Sequence, residues 1–112
     1  MTVTVKVLVP AKTVENTQTT QYTANGVTAI IDKFTATNYS GAAATISVNF
    51  VTVSGSAGNS NLITKTKTLQ PAEVYTFPEL VGQVLGVGDF ISTIAGTASA
   101  INMRVGGREV TL

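Results

Sequence analysis

The sequence contains no cysteine, no histidine and no tryptophan. Without cysteine, the chain has no disulfide framework, no thiolate nucleophile and no thiolate zinc site. Without histidine, it has no imidazole general base, no Ser-His-Asp triad and no histidine metal site. These absences exclude the commonest side-chain machinery for hydrolysis and for transition-metal binding.

Charged residues are also scarce, at 12% of the 112 residues, and the formal net charge is only +1. Proteins that neutralise nucleic-acid phosphates present a stripe of lysine and arginine. The basic residues of this chain are instead dispersed: Lys6, Lys12, Lys33, Lys65, Lys67, Arg104 and Arg108. We therefore expect no nucleic-acid partner. A weakly charged surface suits a protein that works in an assembly, because little self-repulsion opposes association.

Long apolar runs are missing as well. No run approaches the ~20 residues that span a bilayer, and the N-terminus lacks the basic-then-apolar pattern of a signal peptide. We therefore expect neither a membrane partner nor a signal peptide. Apolar residues still make up 44% of the chain, which is enough for one core in a single domain covering residues 1–112.

Residues 27–53 carry the clearest structural pattern, with two β-strands on either side of a polar turn at residues 38–41. Large apolar residues recur at every second position, which places them on one face of each pleated strand. We predict that these two faces close on each other or on a second sheet. Their members are Ile30, Phe34 and Ala36 in the first strand, and Ile46, Val48 and Phe50 in the second.

Further short strands are predicted at residues 62–69, 74–77, 89–95 and 101–105, separated by turn signals. Lys65 and Lys67 mark the first of these as a charged edge strand. Gly106-Gly107 predicts a bulge, and residues 79–88 an irregular connection over one end of the core. The pattern predicts an all-β fold, a single antiparallel β-sandwich of about seven or eight strands with immunoglobulin-like or jelly-roll connections.

The N-terminal segment allows two interpretations. Val3, Val5, Val7 and Val9 alternate with more polar residues, which predicts a half-buried strand at residues 2–9 with its valines in the core and Pro10 ending it. Alternatively, residues 1–14 form an extended arm that contacts a neighbouring subunit by strand addition.

Few side chains suggest chemistry. Asp32 falls on the predicted buried face of its strand, where a strand end, a bulge or a partner cation would account for it, and we favour this structural role over a catalytic one. No spacing of acids matches a glycosidase pair or a calcium loop. Residues 54–61 contain Gly and Ser but lack the Gly-Lys-Ser/Thr ending of a phosphate loop. We predict no catalytic residues, no cofactor and no metal site.

Turn and core motifs follow one another along most of the chain. They are TAIIDKFTATNYSGAAATISVNFV at 28–51, SGSAGNSN at 54–61, QPAEVYTFPELV at 70–81, Gly-Asp-Phe at 88–90 and GGREVTL at 106–112. Their order resembles that in a group of small structural proteins of tailed bacteriophages. The resemblance covers residues 21–111 and departs from the pattern at Ala72, where glycine is usual. It implies a virion structural role and transfers no catalytic residue.

We therefore expect a non-enzymatic virion protein, assembled in the host cytoplasm, that decorates or cements a capsid at its subunit seams. Its expected partners are the major capsid protein or other virion subunits, and further copies of itself as a dimer or trimer. The alternatives are a tail or fibre-attachment component and a receptor- or carbohydrate-binding module. Residues 2–9, the turn at 38–41 and the polar loop at 54–61 supply the predicted contact residues: Val3, Val5, Lys6, Val7, Tyr39, Ser56 and Asn59.

Overall fold

Alternating apolar residues place two antiparallel β-sheets face to face, which confirms the predicted sandwich. The structure is a computed structural model that describes all residues from Met1 to Leu112. It has nine strands, and those at residues 19–23 and 84–85 were not among the predicted ones. They are β1 (Thr2–Thr13), β2 (Thr19–Thr23), β3 (Thr28–Asn38), β4 (Ala44–Val51), β5 (Leu62–Leu69), β6 (Val74–Tyr75), β7 (Val84–Leu85), β8 (Phe90–Ala95) and β9 (Ile101–Thr111).

The chain moves between the sheets at most of its connections. Sheet A has the strand order β1-β9-β3-β6, with β7 also paired to β3, and sheet B has the order β2-β8-β4-β5. The only helical segment is the 3₁₀ turn Asn59–Asn61, so the structure holds no helix that could span a membrane. The edge position predicted for residues 62–69 is confirmed by β5, and the irregular residues 79–88 contain β7.

The two strands predicted in residues 27–53 are present as β3 and β4, but they do not pair with each other. β3 pairs with β9, β6 and β7 in sheet A, whereas β4 pairs with β5 and β8 in sheet B. The turn between them is therefore a crossing from one sheet to the other. Because β3 and β4 lie in opposite sheets, their apolar faces close on each other across one core, which is the first of the two predicted arrangements.

Asn38 is fully buried at this crossing and has all its polar atoms paired. Its Nδ2 donates to the carbonyl of Ala42 at 2.8 Å and to that of Leu69 at 2.9 Å, while its Oδ1 accepts from the backbone N of Ser40 at 2.9 Å. Because Leu69 belongs to sheet B, a single amide joins the end of β3 to the opposite sheet.

We expect Asn38→Ala to lower the free energy of unfolding by about 2–3 kcal/mol, because it removes the side-chain donor to the buried carbonyl of Leu69. Chemical denaturation with urea measures this loss. Asn16→Ala, at an exposed position with no side-chain hydrogen bond, is the control and should change stability by less than ~0.5 kcal/mol. Equal effects of the two substitutions would show that the crossing does not depend on this amide.

A bulge in β3 corrects the predicted face of that strand. The register of β3 against β9 shifts between Ile31 and Lys33, so Ile31 and Phe34 both enter the core although they are three residues apart. Ile30 consequently lies on the outer face of sheet A, and Asp32 is exposed instead of buried. The prediction that Ile30 and Asp32 share the buried face is wrong, because an extra residue in the strand reverses the alternation.

The N-terminal strand departs most from its prediction. β1 continues through Pro10 to Thr13, which an edge strand tolerates because its outer side needs no backbone donor. Val3, Val5 and Val7 are exposed instead of buried, and Leu8 and Val9 are the first core residues. The register against β9 shifts between Val7 and Val9. This bulge turns the preceding valines to the outer face, so the prediction that they line the core is wrong.

Candidate interaction surface

The outer face of sheet A carries a contiguous group of apolar side chains. Strand register places Val5, Arg108, Ile30 and Val84 in one row across β1, β9, β3 and β7. Val3 and Val110 occupy the next row, and Val7 lies opposite Gly106 in the row on the other side. Directly opposed residues share a face of the sheet. We call this surface the valine face: Val3, Val5, Val7, Ile30, Val84 and Val110.

The valine face is open to solvent. Val5 is 83% exposed, Val84 57% and Val3 50%. The one charged group in the central row is Arg108, whose guanidinium donates to both carboxylate oxygens of Asp32, at 3.0 Å from Nε and 2.9 Å from NH2. The bulge in β3 thus brings Asp32 to Arg108, so the central row carries no net charge, whereas the exposed Lys33 lies in the row of Val7, opposite Gly106.

The edge of sheet A next to this face is unoccupied by any other strand. β1 pairs only with β9, so its second edge presents unpaired backbone groups. Residues 2–7 are all exposed. The structure therefore places Val3, Val5, Lys6 and Val7, all predicted contact residues, on one free edge strand.

Lys6 belongs to a polar cluster that ties β1 and β9 to the second sheet. Its Nζ lies 3.2 Å from Glu109 Oε1, and the hydroxyl of Tyr22, in sheet B, donates to Glu109 Oε2 at 2.5 Å. The hydrogen bonds from Tyr22 and Lys6 lower the pKa of Glu109 below its ordinary value, although partial burial opposes this. Burial and the bond to Glu109 raise the pKa of Tyr22.

A second carboxylate joins the two sheets elsewhere. Glu79 accepts from Tyr75 of sheet A at 2.6 Å and from Thr64 of sheet B at 2.5 Å. Partial burial would raise the pKa of Glu79, but these hydrogen bonds outweigh it and the pKa is lowered. The bond to Glu79, together with burial, raises the pKa of Tyr75 to about 12. Lys67 Nζ lies 4.7 Å from the centre of the Tyr75 ring.

These lowered carboxyl pKa values predict acid sensitivity. The folded protein holds Glu79 and Glu109 ionised to a lower pH than the unfolded chain does. The stabilisation of the fold by these two carboxylates is therefore complete above the pKa of ~4.3 that glutamate has in the unfolded chain. It is lost as the pH falls through their lower pKa values in the folded protein. We expect the urea midpoint to be constant between about pH 6 and 7 and to decrease from about pH 5 to pH 3.

Glu109→Gln tests the origin of this dependence. It should lower the free energy of unfolding at pH 7 by ~1–2 kcal/mol, because a hydrogen bond to a charged group is lost, and it should weaken the decrease in acid. Glu73→Gln is the control, since Glu73 accepts only a local turn bond from the backbone N of Gln70, at 2.7 Å. An unchanged acid profile in Glu109→Gln would contradict the assignment.

The other predicted contact residues lie away from the valine face. Tyr39 is exposed beyond the end of β3, with its hydroxyl 3.3 Å from Thr13 Oγ1 at the far end of β1. Ser56 and Asn59 are exposed in the loop at 54–61, which is held to sheet B by Asn49. The Nδ2 of Asn49 donates to Gly58 O at 3.0 Å and to Asn61 Oδ1 at 2.7 Å. The structure therefore does not join all the predicted residues into one site.

A small polar pocket lies on the outer face of sheet B beside this loop. It has a volume of about 190 Å³ and is lined by Gln18, Asn49, Asn59, Lys65 and Ile94, among others. Gln18 Nε2 donates to Ser92 Oγ at 2.8 Å and to Asn49 Oδ1 at 3.3 Å. Lys65 forms no ion pair. The pocket can accept hydrogen-bonding groups but offers no titratable pair for acid–base chemistry.

Sequence reasoning missed three members of the valine face. Ile30 had been placed in the core, and Val84 lies in residues 79–88, which were predicted only as an irregular connection. Val110 alternates with Arg108 in β9, and this alternation was the one signal that could have identified an outward-facing apolar residue.

The arrangement is one of surfaces and structural clusters. The structure brings together no group of three or more acidic side chains that could hold a metal ion. Its strongest feature is an exposed apolar face that continues to an unpaired strand edge. Comparisons of the chain with protein-family models, with curated proteins and with solved structures found no match.

Proposed function

We propose that this chain is a non-enzymatic structural protein of a bacteriophage virion that decorates the capsid and cements seams between subunits. The observation that supports the proposal is the valine face beside the free edge of β1. Burial of apolar surface against the shell holds such a protein in place without chemistry. The major capsid protein is the proposed partner.

The size of the valine face favours attachment in several copies. Four strands at ~4.8 Å spacing and three rows ~6.8 Å apart give the face an area of at most about 400 Å². A stable interface buries ~800 Å² on each partner. One copy of the face alone is too small, so the proposal needs further contacts or several joined copies, whose weak attachments add through multivalency.

The carboxylates favour a structural role over an enzymatic one. Glu15, Glu79 and Glu109 each accept hydrogen bonds that lower their pKa values. A general acid or base at neutral pH needs a pKa near 7, and these groups are shifted away from that value. Asp32 is engaged by Arg108.

The copy number of the protein in purified phage particles tests the proposal. Stained-gel or mass-spectrometric stoichiometry should give hundreds of copies per particle if the protein decorates the capsid. A few dozen copies or fewer would support the tail or fibre-attachment alternative. Absence of the protein from particles would overturn the virion role.

A matched pair of substitutions tests the valine face itself. Val84→Lys places a charge in the central row, and we expect it to reduce binding to particles lacking the protein at least about tenfold, which corresponds to ~1.4 kcal/mol. Val87→Lys is the control, because Val87 is equally exposed, at 60% against 57%, but lies in the turn after β7. Equal binding of both variants would exclude the valine face as the attachment surface.

The pocket on sheet B favours a second candidate function, carbohydrate or receptor binding. Its volume of about 190 Å³ is below the ~300–1,000 Å³ of drug-sized sites, which suits a single sugar ring. Binding of the isolated protein to host cells, lost in Lys65→Ala and kept in Lys33→Ala, would support this function. No binding to host cells would count against it.

A further inference from the structure

The four outer edges of the two sheets are not equally protected against pairing. β6 has only two residues, and β2 has five with a register shift between Thr20 and Tyr22. β5 carries Lys65 and Lys67, and Thr66 between them has a positive φ of 42° that distorts the strand. Charges, bulges and short length all discourage strand addition. β1 is the exception, because residues 2–7 are extended, exposed and free on one side.

The charge on β1 offers no protection either. Lys6 is the only charged residue in residues 1–11, and its Nζ is directed to Glu109 of the same chain at 3.2 Å. An apolar edge strand that lacks such protection is a template on which another strand can pair. From this edge we infer that a second copy of the chain pairs with β1, antiparallel and two-fold symmetric, with Val5 of one copy opposite Val5 of the other.

The β1 sequence selects this register for a two-fold pair. With Val5 at the centre, Val3 of each copy lies opposite Val7 of the other, so all six valines are matched on one face. Lys6 then lies opposite Thr4. Centring the pair on Lys6 would place two like charges directly opposite each other, which is destabilising. Centring it on Thr4 would place Val7 opposite Met1, so one valine pair would be lost.

Pro10 marks the end of the pairing. In the register centred on Val5, residues 2–8 of each copy face residues 8–2 of the other, and the pairing stops before the residue that has no backbone N–H. The outer face also continues across the junction. Val84, Ile30, Arg108 and Val5 of one copy would be followed by Val5, Arg108, Ile30 and Val84 of the other, which doubles the valine face.

The inference deepens the proposed function by specifying the homo-oligomer, and it rests on that function only for its biological setting. The edge of β1 binds a second copy, whereas the joined valine faces remain free for the shell. Dimerisation is a property of the isolated protein, so its failure is distinguishable from the absence of the protein in phage particles.

The mass of the purified full-length chain in solution is the first test. Light scattering or sedimentation at increasing concentration should show a shift from 11.6 kDa to twice that mass. A chain that stays monomeric at the highest concentration overturns the inference. A trimer also overturns it, because a two-fold strand pair joins only two copies.

Single-cysteine variants test the register, and the chain offers a clean background because it has no cysteine. Under mild oxidation, Val5→Cys should form a disulfide dimer at least about tenfold faster than Val3→Cys, because directly opposed Cβ atoms lie within disulfide reach. In this register the two introduced cysteine side chains of a Val3→Cys dimer are four residues apart along the strand pair. The Val3→Cys variant should therefore crosslink only when it is mixed with Val7→Cys.

Equal crosslinking of Val5→Cys and Val3→Cys would indicate random collision and overturn the register. The same variant distinguishes the competing occupant of the edge. For this test the Val5→Cys variant is incorporated into particles whose shell protein carries single cysteines at successive positions. If it crosslinks to the shell protein and not to a second copy of itself, the edge of β1 binds the capsid and the inference is wrong.

Discussion

Gly107→Ala should be the most damaging single-methyl addition in this protein, with an expected loss of about 3 kcal/mol in the free energy of unfolding, at the upper end for overpacking. Gly107 lies in β9 between β1 and β3, and a Cβ there would collide with the carbonyl oxygen of Ile30 and approach Leu8 Cδ1 to 3.0 Å. The carbonyl is backbone, so no rotamer change relieves the collision. β3 would have to move away from β9.

Gly106→Ala is the matched control on the neighbouring residue. A Cβ at Gly106 would meet no heavy atom within 4 Å, and its φ is not positive. Since alanine restricts the unfolded chain, we expect no loss and up to ~1 kcal/mol of gain. Urea denaturation of both variants measures the difference. A Gly107→Ala protein as stable as Gly106→Ala would show that β3 and β9 are not in such close contact at this point.

Phe34→Ala is expected to lower the free energy of unfolding by ~3–5 kcal/mol, as for other buried phenylalanines. Phe34 is fully buried, with its ring centre 4.5 Å from that of Phe77, which in turn lies 4.6 Å from Tyr75. Truncation leaves a buried cavity beside Phe77 in this aromatic cluster. Domains are stable by only ~5–15 kcal/mol, so the variant should be close to unfolding.

The urea midpoint at an unchanged denaturant slope measures this effect. Phe90→Ala is the control, because it makes the same chemical change at a half-buried position at the start of β8. Phe90→Ala should lower the free energy of unfolding by less than half as much as Phe34→Ala, because Phe90 buries a smaller apolar area. Similar losses in the two variants would contradict the central position of Phe34 in the core.

The proposed contacts assign different tasks to adjoining surfaces. The free edge of β1 offers backbone hydrogen bonds and binds a copy of the chain in our inference, whereas the valine face offers apolar area and binds the shell in our proposal. The Arg108–Asp32 pair, 2.9 Å apart, lies within the valine face and neutralises its central row. Such a pair at an exposed site contributes little to stability, which suits a role in the surface instead of the core.

Local pattern predicted the strands of this protein well. The alternation in residues 27–53 located β3 and β4, and the lysines of residues 62–69 identified an edge strand. Both signals depend on the two-residue period of a strand, which a single segment displays by itself. The sandwich class followed from the number of such segments.

The errors about which face a residue occupies came from bulges. One extra residue near Asp32 moved Ile30 out of the core, and another between Val7 and Val9 turned three valines to solvent. A bulge forms when neighbouring strands impose their register. Asp32 on an otherwise apolar face was the one local sign of the bulge in β3, and residues 2–9 carry no such sign of theirs. For the same reason the sequence could not show that β3 and β4 belong to different sheets.

The amino-acid sequence by itself determined the all-β class, the positions of most strands and the lack of cysteine and histidine chemistry, because these depend on residue type and local alternation. Tertiary structure alone decided which valines face water, which carboxylate meets Arg108 and which edge is left unpaired. These features depend on register between strands distant in the chain, and register is set only when the two sheets pack.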